Sequence, residues 1–391
     1  IVSDVFIYEA LRTPRGKARA DGSLASVAPH ELVSQLIAAL ETRSEIDRKI
    51  ADGLILGCVG QVGAQGGNIA HIVKRAAQLP HRAFAIALND FCASGLTAIG
   101  QAVNAVASRS ADCVLAGGVE SMSRVPFLGD HADYYTDPTF PEHGQYFPVA
   151  LAADRLALSE RIDRVALDAV ALESQTRAKN AETSTTLQKS RIALKTSANA
   201  IAEHDECLRE TSSESLAALT PAFGALAEGH RKIFGGELLE HVHTIAHAPP
   251  MADGAGLALI GNASVSRKPR ARVLAHAEIG GDPHASLTAG FAAMDLALKR
   301  ANKSLAEMDR IEFMEAFAVT IAKFHRDYGV DAAKVNVAGG HLARGHALGA
   351  TGAILLSSLL DALDDCAGKF GMVVVTGASG VGAAMILERI S

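Results

Sequence analysis

Three long stretches of this chain contain no charged residue, and they limit what the chain can fold into. They cover residues 91–108, 347–360 and 370–387. Each contains glycine together with hydroxyl or amide side chains, and charged residues follow closely. Membrane spans need about 20 predominantly apolar residues, so this pattern favours elements buried in a globular core. We therefore expect buried elements here and no membrane span.

The composition narrows the fold class further. Of the 391 residues, 49% are hydrophobic and only 20% are charged, which is below the usual share of about a quarter. Glycine (35 residues) and alanine supply much of the rest. Helices rich in such small residues can pack closely, so we predict an α/β protein with a large core. Disordered, collagen-like and coiled-coil chains are excluded.

Charge and cysteine content argue against two classes of partner or cross-link. The net charge is −6 and no basic block occurs, so we expect no nucleic-acid partner. The five cysteines are scattered and never spaced as CxxC, which disfavours a disulfide framework or a structural zinc site.

No signal-peptide pattern is visible at the start of the chain, so we expect a cytoplasmic location. An enzyme of an organellar matrix or peroxisome with its targeting segment removed would look the same.

The chain divides into two apolar halves with a polar segment inserted in the first. Buried strands and a small-residue helix fill residues 1–119, and the buried pattern returns at about 248–268 to complete this half. Between them, residues 120–247 are rich in His, Pro, Tyr, Ser and charge, which indicates an exposed loop domain. A second Ala-rich half occupies residues 269–391.

The two halves repeat one order of elements. Cys92 precedes a small-residue helix and a strand that ends about 25 residues later, and His346 precedes a similar helix and a strand that ends about 30 residues later. A duplicated unit of this kind would place Cys92 and His346 near one pseudo-twofold axis.

Cys92 is the first candidate for chemistry. A thiol at a strand-to-helix turn lies against free N–H groups and the positive end of the helix dipole, and this environment lowers a cysteine pKa. The N–H of Cys92 can also help to stabilise an oxyanion. The alternative is a buried packing cysteine, which is what we expect of Cys58, Cys113 and Cys366.

Residues 336–352 carry five glycines and two histidines before a helix. The glycines let the backbone approach a ligand closely. A histidine at this place can act as a base towards a thiol or donate to an oxyanion. We favour His346 over His341 because its spacing from the helix start is better. A surface loop with incidental histidines is the alternative.

Two other patterns resemble binding sites that we reject. Residues 373–382 look like a dinucleotide-binding glycine loop, but only nine residues follow, which leaves no room for the rest of such a site. His241, His243 and His247 have a spacing that could gather a zinc ion, but no acidic ligand or glutamate base completes the site. We therefore expect solvated histidines and no metal site.

Seven segments, in order, make the chain resemble the thiolase family over nearly its whole length. They are RTPRGKARADGSLAS near the start, CASG at 92–95, GGVESMSRVPF at 117–127, DGAG at 253–256, EFMEAFA at 312–318, GGHLARGHALGATGA at 339–353 and GAAMILER at 382–389. The segments APPMADGAG and EFMEAFA are closer to the trifunctional-complex β-subunit type than to the short-chain biosynthetic type.

The resemblance implies a five-layered αβαβα core of two similar halves with an inserted loop domain, assembled as a homodimer or tetramer. It implies an acyltransferase of fatty acid metabolism, as in β-oxidation, with acyl-CoA and CoA as substrates and no cofactor. A hydratase/dehydrogenase subunit is a further expected partner. Arg161, Arg164, Arg177 and Lys179 are candidates for the CoA phosphates, with solvated helix charges as the alternative.

The resemblance also implies residue roles. Cys92 would attack the 3-keto carbon of a 3-ketoacyl-CoA to give acyl-Cys92 and acetyl-CoA, or run the reverse Claisen condensation. His346 would activate the cysteine and help to hold the thioester oxygen. The N–H groups of Cys92 and Ala378 match the second oxyanion hole of the family. Ala316 and Phe317 would line the path of the acyl group and pantetheine.

Three positions depart from the family pattern. Met314 replaces an Asn or His that helps to bind the thioester oxyanion, and losing one such donor can lower a rate by about 10²–10³. Thr376 replaces the second cysteine, which moves the α-proton of acetyl-CoA, and Ala347 replaces a proline. The alternatives are therefore a thiolase-fold acyltransferase or thioester hydrolase without C–C chemistry, or a catalytically weak structural subunit.

Overall fold

The computed structural model describes residues 4–137, 139–141, 145–196, 199–230 and 239–390. The first part of the chain forms β1 (Phe6–Arg12), β2 (Gly16–Lys17), α1 (Pro29–Ser44), β3 (Gly53–Gly57), α2 (Ile69–Ala76), β4 (Phe84–Leu88), α3 (Ser94–Ala107) and β5 (Cys113–Glu120). The middle part forms α4 (Val149–Glu160), α5 (Arg164–Ala181), β6 (Leu194–Lys195), β7 (Ile201–Ala202) and α6 (Ser213–Ala217). The last part forms β8 (Ala252–Gly261), β9 (Ala271–Gly280), α7 (Ala289–Ala301), β10 (Arg310–Phe313), α8 (Ala318–Tyr328), α9 (His341–Arg344), α10 (Thr351–Asp365), β11 (Phe370–Thr376) and β12 (Val381–Arg389).

The first half of the protein is built on a mixed sheet in which β1, β8, β5, β3 and β4 lie side by side in this order. β3 pairs in parallel with β4 and β5, whereas β8 pairs antiparallel with β1 and β5. Every residue of β3 is buried, as is every residue of β5 and β8. Such uninterrupted apolar strands are typical of a sheet covered on both faces.

The second half is built on β10, β11, β12 and β9, again side by side in this order. β10 and β11 are parallel, and the other pairs are antiparallel. The two sheets meet where β1 pairs with β9, over the register pairs Phe6↔Arg272 and Ile7↔Ala271. Each half thus carries its own sheet, and the short β1–β9 pairing links them.

Helices α3 and α10 pack against each other between the two sheets. Helices α1 and α2 cover the outer face of the first sheet, and α7 covers the outer face of the second. This is the five-layered αβαβα arrangement that the resemblance to the thiolase family implied. The middle layer explains the small residues, because a Cβ at Gly352 would lie 2.5 Å from the Cβ of Leu96. The central helices approach too closely for larger side chains at that point.

A buried ion cluster attaches the polar middle segment to the core. Asp205 accepts hydrogen bonds from the guanidinium of Arg12 in β1 at 2.9 Å and from that of Arg344 in α9 at 2.5 Å. These guanidinium groups hold the pKa of the Asp205 carboxyl well below its usual range despite complete burial. The middle segment is therefore fixed against the turn that carries His346.

The charge-free stretches form α3 with its preceding turn, α10 with its preceding turn, and the β11–β12 pair. All three lie in the core between or within the sheets. Within the described ranges of the chain, no helix is long and apolar enough to cross a membrane.

Candidate active site

Cys92 lies in a tight turn between β4 and α3. The residue before it, Phe91, has a positive φ of 44°, which residues with a Cβ rarely adopt. The Ser94 hydroxyl supports the turn, since it accepts a hydrogen bond from the N–H of Asp90 at 2.8 Å and donates one to the Phe91 carbonyl at 2.6 Å. These bonds hold the thiol in front of α3, which begins at Ser94.

His346 lies opposite Cys92 on the turn before α10. Its N–H donates to the carbonyl of Pro250 at 2.8 Å and its carbonyl accepts from the N–H of Ala252 at 3.1 Å, so the chain entering β8 holds it on both sides. Nδ1 lies 2.7 Å from Thr351 Oγ1, and Nε2 lies 3.3 Å from Cys92 Sγ. This arrangement suits the tautomer in which Nδ1–H donates to Thr351 and the Nε2 lone pair faces the thiol.

A third backbone segment closes on the thiol from the loop after β11. The N–H groups of Ala378 and of Cys92 itself donate to the Cys92 sulfur. A Cβ at Gly377 would lie 2.7 Å from Cys92 Cβ and 3.0 Å from Sγ, so only glycine fits there. Two N–H groups that converge on one point can stabilise negative charge at that point.

The same loop contains the glycine pattern that resembles a dinucleotide site. It turns at residues 378–380 and joins β11 to the antiparallel strand β12. In the described part of the chain it leads into a strand and not a helix. Gly377 therefore serves the close approach to Cys92, whereas Gly380 and Gly382 lie against the backbone of Gly281 and Ala289.

Burial sets the protonation state of the Cys92–His346 pair. Cys92 is 8% exposed, and desolvation raises the pKa of its thiol to about 11 even though two N–H groups donate to it. The expectation of a lowered thiol pKa is therefore wrong, because the surrounding loops exclude water from the helix start. Desolvation, together with the charge of Arg15, lowers the pKa of His346 to about 3. At neutral pH the resting pair is a neutral thiol and a neutral imidazole.

His341 lies behind His346 and does not line the cavity beside the thiol. The two rings are 5.6 Å apart, and His341 is 1% exposed. Neither of its ring nitrogens has a hydrogen-bond partner among the residues described. Desolvation, with the charge of Arg15, keeps the pKa of His341 well below its usual range. Its neutral ring therefore packs against His346 and has no direct access to a substrate on Cys92.

A cavity of about 460 Å³ opens beside Cys92 and His346. Of the described residues that line it, only Cys92, Tyr146, Arg209 and His346 have polar side chains. The rest of the wall is aromatic or aliphatic and includes Phe91, Phe127, Leu128, Phe223, Ile245 and Leu287. An apolar pocket with a few converging polar groups is the usual form of a small-molecule site.

The positions predicted from the family pattern fall at different places around this cavity. Ala316 and Phe317 line it, and so does Met314, whose buried thioether stands where the family has a hydrogen-bond donor. Thr376 is buried but is not one of the lining residues. Its Oγ1 accepts a hydrogen bond from the N–H of Gly290 at 3.3 Å, at the start of α7.

The histidines near residue 245 are not solvated, which corrects the expectation from sequence. His243 and His247 are fully buried. Asp154 lies 2.8 Å from Nδ1 of His241 and 2.7 Å from Nδ1 of His243, and Asp168 lies 2.7 Å from Nε2 of His247. The two carboxylates come from α4 and α5, so they are close in space but distant in sequence. Within the described ranges, no group of three or more His, Cys, Asp or Glu side chains could hold a metal ion.

Most of the basic residues singled out for the CoA phosphates are occupied elsewhere. Arg164, Arg177 and Lys179 each form an ion pair within the protein, and Arg161 is exposed away from the cavity. Sequence reasoning missed Arg209, whose exposed side chain lies at the rim of the cavity. Nothing in the residues around Arg209 distinguishes it from other surface arginines.

Sequence reasoning also missed Tyr146, which lines the cavity just before α4. Its ring packs edge-on against the rings of Tyr134 and Tyr135 at 5.8 and 5.2 Å between centroids. The Tyr134 hydroxyl lies 2.8 Å from Ser379 Oγ, in the turn that carries Ala378. The clustering of tyrosines in this short polar segment was the signal that could have indicated it.

Comparisons with known proteins agree with this architecture. The family model described as "Thiolase, N-terminal domain" matches residues 5–232, and the one described as "Thiolase, C-terminal domain" matches residues 267–389. The chain is 33% identical to the β-ketoadipyl-CoA thiolase of Pseudomonas aeruginosa over 99% of each protein. It is 30% identical to the steroid 3-ketoacyl-CoA thiolase FadA6 of Mycobacterium tuberculosis, over 100% of this chain and 95% of that protein. The crystal structure of human mitochondrial 3-ketoacyl-CoA thiolase is similar with a TM-score of 0.88 and 27% identity, over 100% of this chain and 99% of that one.

Proposed function

This chain belongs to the thiolase family and is an acyl-CoA C-acyltransferase, and on this premise we propose that it cleaves 3-ketoacyl-CoA with CoA through an acyl-Cys92 intermediate. The observation that carries the proposal is the 3.3 Å contact between Cys92 Sγ and His346 Nε2 in the wall of an apolar cavity. A thiol, a base within hydrogen-bond reach and converging N–H groups are the parts that thioester chemistry on cysteine requires.

In the proposed reaction, Cys92 is the nucleophile and His346 is its base. Because both groups are neutral at rest, the thiol proton passes to Nε2 as the sulfur adds to the 3-keto carbon. The bond between C2 and C3 then breaks, which leaves the acyl group on Cys92 and releases acetyl-CoA. Free CoA attacks the acyl-Cys92 carbonyl, and His346 returns the proton to the departing Cys92 sulfur. The reverse Claisen condensation would use the same groups.

We assign the N–H groups of Cys92 and Ala378 to the oxyanion that forms on the carbon bonded to Cys92. Hydrogen bonding by both N–H groups lowers the pKa of the Cys92 thiol, which supports this assignment. His346 would also donate to the thioester oxygen once it is protonated. Because Met314 provides no donor, we expect thiolysis to be slower by about 10²–10³ than with an amide or imidazole at that position.

We further propose that the acyl group is apolar. A β-ketoadipyl group ends in a carboxylate, which would need a cationic partner inside the cavity. The one cation among the described lining residues is Arg209, and its side chain is exposed at the rim. The aromatic and aliphatic wall suits a hydrocarbon chain or ring system instead. The reaction would then be of the β-oxidation type.

CoA is the proposed second substrate, and the mechanism needs no cofactor. We assign Arg209 to the CoA phosphates, because its guanidinium has no ion-pair partner among the described residues and because it is exposed at the cavity. A charged phosphate–guanidinium pair at the rim would keep the phosphates in water while pantetheine enters the apolar path. Ala316 and Phe317 would line that path.

We propose a homodimer that forms along β4. Among the described strands, β4 pairs on one side only, with β3, and its Ile86 is 47% exposed. An apolar edge strand of this kind favours pairing with another chain.

We propose that the chain is divided as its sequence suggests. Residues 1–119, completed by 248–268, form the first half, residues 120–247 form an inserted domain, and residues 269–391 form the second half. The place of β8 between β1 and β5 is consistent with this division. A hydratase/dehydrogenase partner and a cytoplasmic location stay predictions.

The test is a mass measurement on the intact protein. The protein is incubated with 3-ketooctanoyl-CoA without free CoA, and we expect a hexanoyl adduct on the Cys92 peptide together with released acetyl-CoA. Cys366→Ala, which removes an exposed cysteine, is the matched control and should still form the adduct. Cys92→Ala should form none. An unmodified Cys92 with 3-ketoacyl-CoA substrates from four to sixteen carbons would overturn the proposal.

Acyl preference is tested separately by comparing kcat/KM for 3-ketooctanoyl-CoA and β-ketoadipyl-CoA. We expect the first value to be at least about 100-fold larger, which corresponds to the cost of burying an unpaired carboxylate. Equal values would overturn the apolar assignment and leave the acyl-Cys92 mechanism in place.

A further inference from the structure

The proposed reaction needs a proton donor in addition to Cys92 and His346. When the C2–C3 bond breaks, its electron pair stays on C2, and the resulting acetyl-CoA enolate must receive a proton. Thr376 stands where the family has the cysteine that moves this proton, but its hydroxyl is a weak acid, is directed to Gly290 and does not line the cavity. Some other group must act.

The polar side chains of the cavity leave one candidate. The described residues that line the cavity include four polar side chains, those of Cys92, Tyr146, Arg209 and His346. Cys92 carries the acyl group, and His346 holds the thiol proton. Arg209 lies at the exposed rim, and its guanidinium cannot give up a proton at neutral pH. Tyr146 remains. On the basis of the proposed function, we infer that its phenol protonates the departing enolate. The resulting phenolate later takes a proton from the incoming CoA thiol.

The placement of Tyr146 supports this role. Tyr146 is 6% exposed, and no hydrogen bond of its hydroxyl is found among the described residues. Buried tyrosine hydroxyls usually have a partner, so this one is available to a molecule in the cavity. The phenol and the thiol of Cys92 line the same cavity, so one bound substrate can contact both.

The ring of Tyr146 is held in position by the neighbouring aromatic side chains. The rings of Tyr134 and Tyr135 and that of Tyr146 pack edge-on against one another, and the Tyr134 hydroxyl is hydrogen-bonded to Ser379 Oγ. Ser379 follows Ala378, whose N–H donates to the Cys92 sulfur. The phenol and the oxyanion turn are therefore parts of one connected unit.

The proton balance closes over one turnover. Cys92 gives its proton to His346 and adds to C3, and the alkoxide then collapses with cleavage of the C2–C3 bond. The Tyr146 O–H proton moves to C2, which gives acetyl-CoA and a phenolate. The phenolate then takes the proton of the CoA thiol, and the CoA sulfur displaces the Cys92 sulfur from the acyl group. His346 returns its proton to Cys92, so every group is restored and no other reactant is needed.

The relative acidities of the phenol, the CoA thiol and the C2 carbon also favour these two proton transfers. Desolvation, with the Cys92 thiol and the neighbouring tyrosines, keeps the pKa of Tyr146 above its usual value, so the phenol is protonated at rest. A carbon enolate is far more basic than a phenolate, and a phenolate in this site is more basic than a CoA thiolate. Both proton transfers therefore run downhill.

Tyr146→Phe tests the inference because it removes one oxygen atom and keeps the ring packing. Two rates are measured in the same protein: C–C cleavage of 3-ketooctanoyl-CoA with CoA, and acyl transfer from plain octanoyl-CoA to Cys92, followed by mass. The second reaction releases a CoA thiolate and creates no carbon base. We expect the variant to lose about 10²–10⁴-fold in cleavage and to stay within about threefold in acyl transfer. Tyr328→Phe, which removes the phenol oxygen of a tyrosine that does not line the cavity, is the matched control and should keep both rates.

Two results with Tyr146→Phe, and one with the wild-type protein, would overturn the inference. Cleavage within threefold of the wild-type rate would show that the phenol moves no proton. An equal fall in both rates would show that the hydroxyl only shapes the cavity. If the wild-type protein forms acyl-Cys92 from octanoyl-CoA and never cleaves a 3-ketoacyl-CoA, the proposed function fails and the role of Tyr146 fails with it.

Discussion

The Nε2 atom of His346 lies 3.3 Å from the Sγ atom of Cys92, across 254 residues of sequence. Each residue precedes one of the two central helices, α3 and α10, and these helices pack against each other between the sheets. The contact therefore depends on the closeness of the helices, which glycines such as Gly352 permit. The geometry of the Cys92–His346 pair is a consequence of how the middle layer packs.

Gly377→Ala should abolish activity without unfolding the protein. The new Cβ would lie 2.7 Å from Cys92 Cβ, so either the thiol or the Ala378 loop must move. Because an error of about 1 Å in position can cost 10²-fold in rate, we expect at least that loss in acylation of Cys92. The rate is measured by mass with 3-ketooctanoyl-CoA.

Gly280→Ala is the matched control for this substitution, because a Cβ there would meet nothing within 4 Å. It should leave acylation unchanged. Wild-type acylation in Gly377→Ala would show that the loop is not pressed against the thiol as the structure has it.

Alkylation of Cys92 should report a neutral thiol and not a thiolate–imidazolium pair. Since desolvation raises the thiol pKa to about 11, the thiolate fraction grows about tenfold with each pH unit between 6.5 and 9.5. The rate constant for iodoacetamide at Cys92, measured by peptide mass in Cys366→Ala, should rise over this range without levelling. A plateau with its midpoint below pH 8 would contradict the prediction.

The sequence predicted that Cys92 and His346 lie close together, as the structure has them, but it did not predict the pKa values of these two groups. Cys92 and His346 could be found because each opens a small-residue helix within a recognisable motif. The direction of the thiol pKa could not be found, because it depends on which loops exclude water from the turn. The partners of His243 and His247 were missed for a similar reason, since Asp154 lies on a helix far away in the chain. Tyr146 lies in the polar middle segment, where no periodic pattern tells a cavity wall from an exposed loop.

Met314→Asn should raise the rate of thiolysis. The side chain at this position is buried in the cavity wall, so an amide there could donate to the thioester oxygen. We expect kcat with 3-ketooctanoyl-CoA and CoA to rise by about tenfold or more. One such donor changes the rate by about 10²–10³ in comparable sites. Met314→Leu, which keeps the wall apolar, is the control.

Combining Met314→Asn with Thr376→Cys should add little to the single change, because Thr376 does not line the cavity. If the double variant far exceeds Met314→Asn, the residue at position 376 reaches the substrate after all. If neither variant gains over Met314→Leu, the missing donor does not limit the rate.

The folded protein should lose stability as the pH falls below about 6.5, and His346 should account for part of the loss. Burial lowers the pKa of His346 to about 3 and that of His247 to about 4, whereas both are near 6.5 in an unfolded chain. Between these values the unfolded chain binds protons that the folded protein does not, so each group lowers the free energy of unfolding by about 1.4 kcal/mol per pH unit as the pH falls. Thermal midpoints measured from pH 7.5 to 4.5 should therefore decline less steeply for His346→Gln than for the wild-type protein. His71→Gln, which removes an exposed histidine, is the control and should keep the wild-type slope. If the thermal midpoints of all three proteins fall in parallel with pH, His346 takes up its proton in the folded state, and the prediction is wrong.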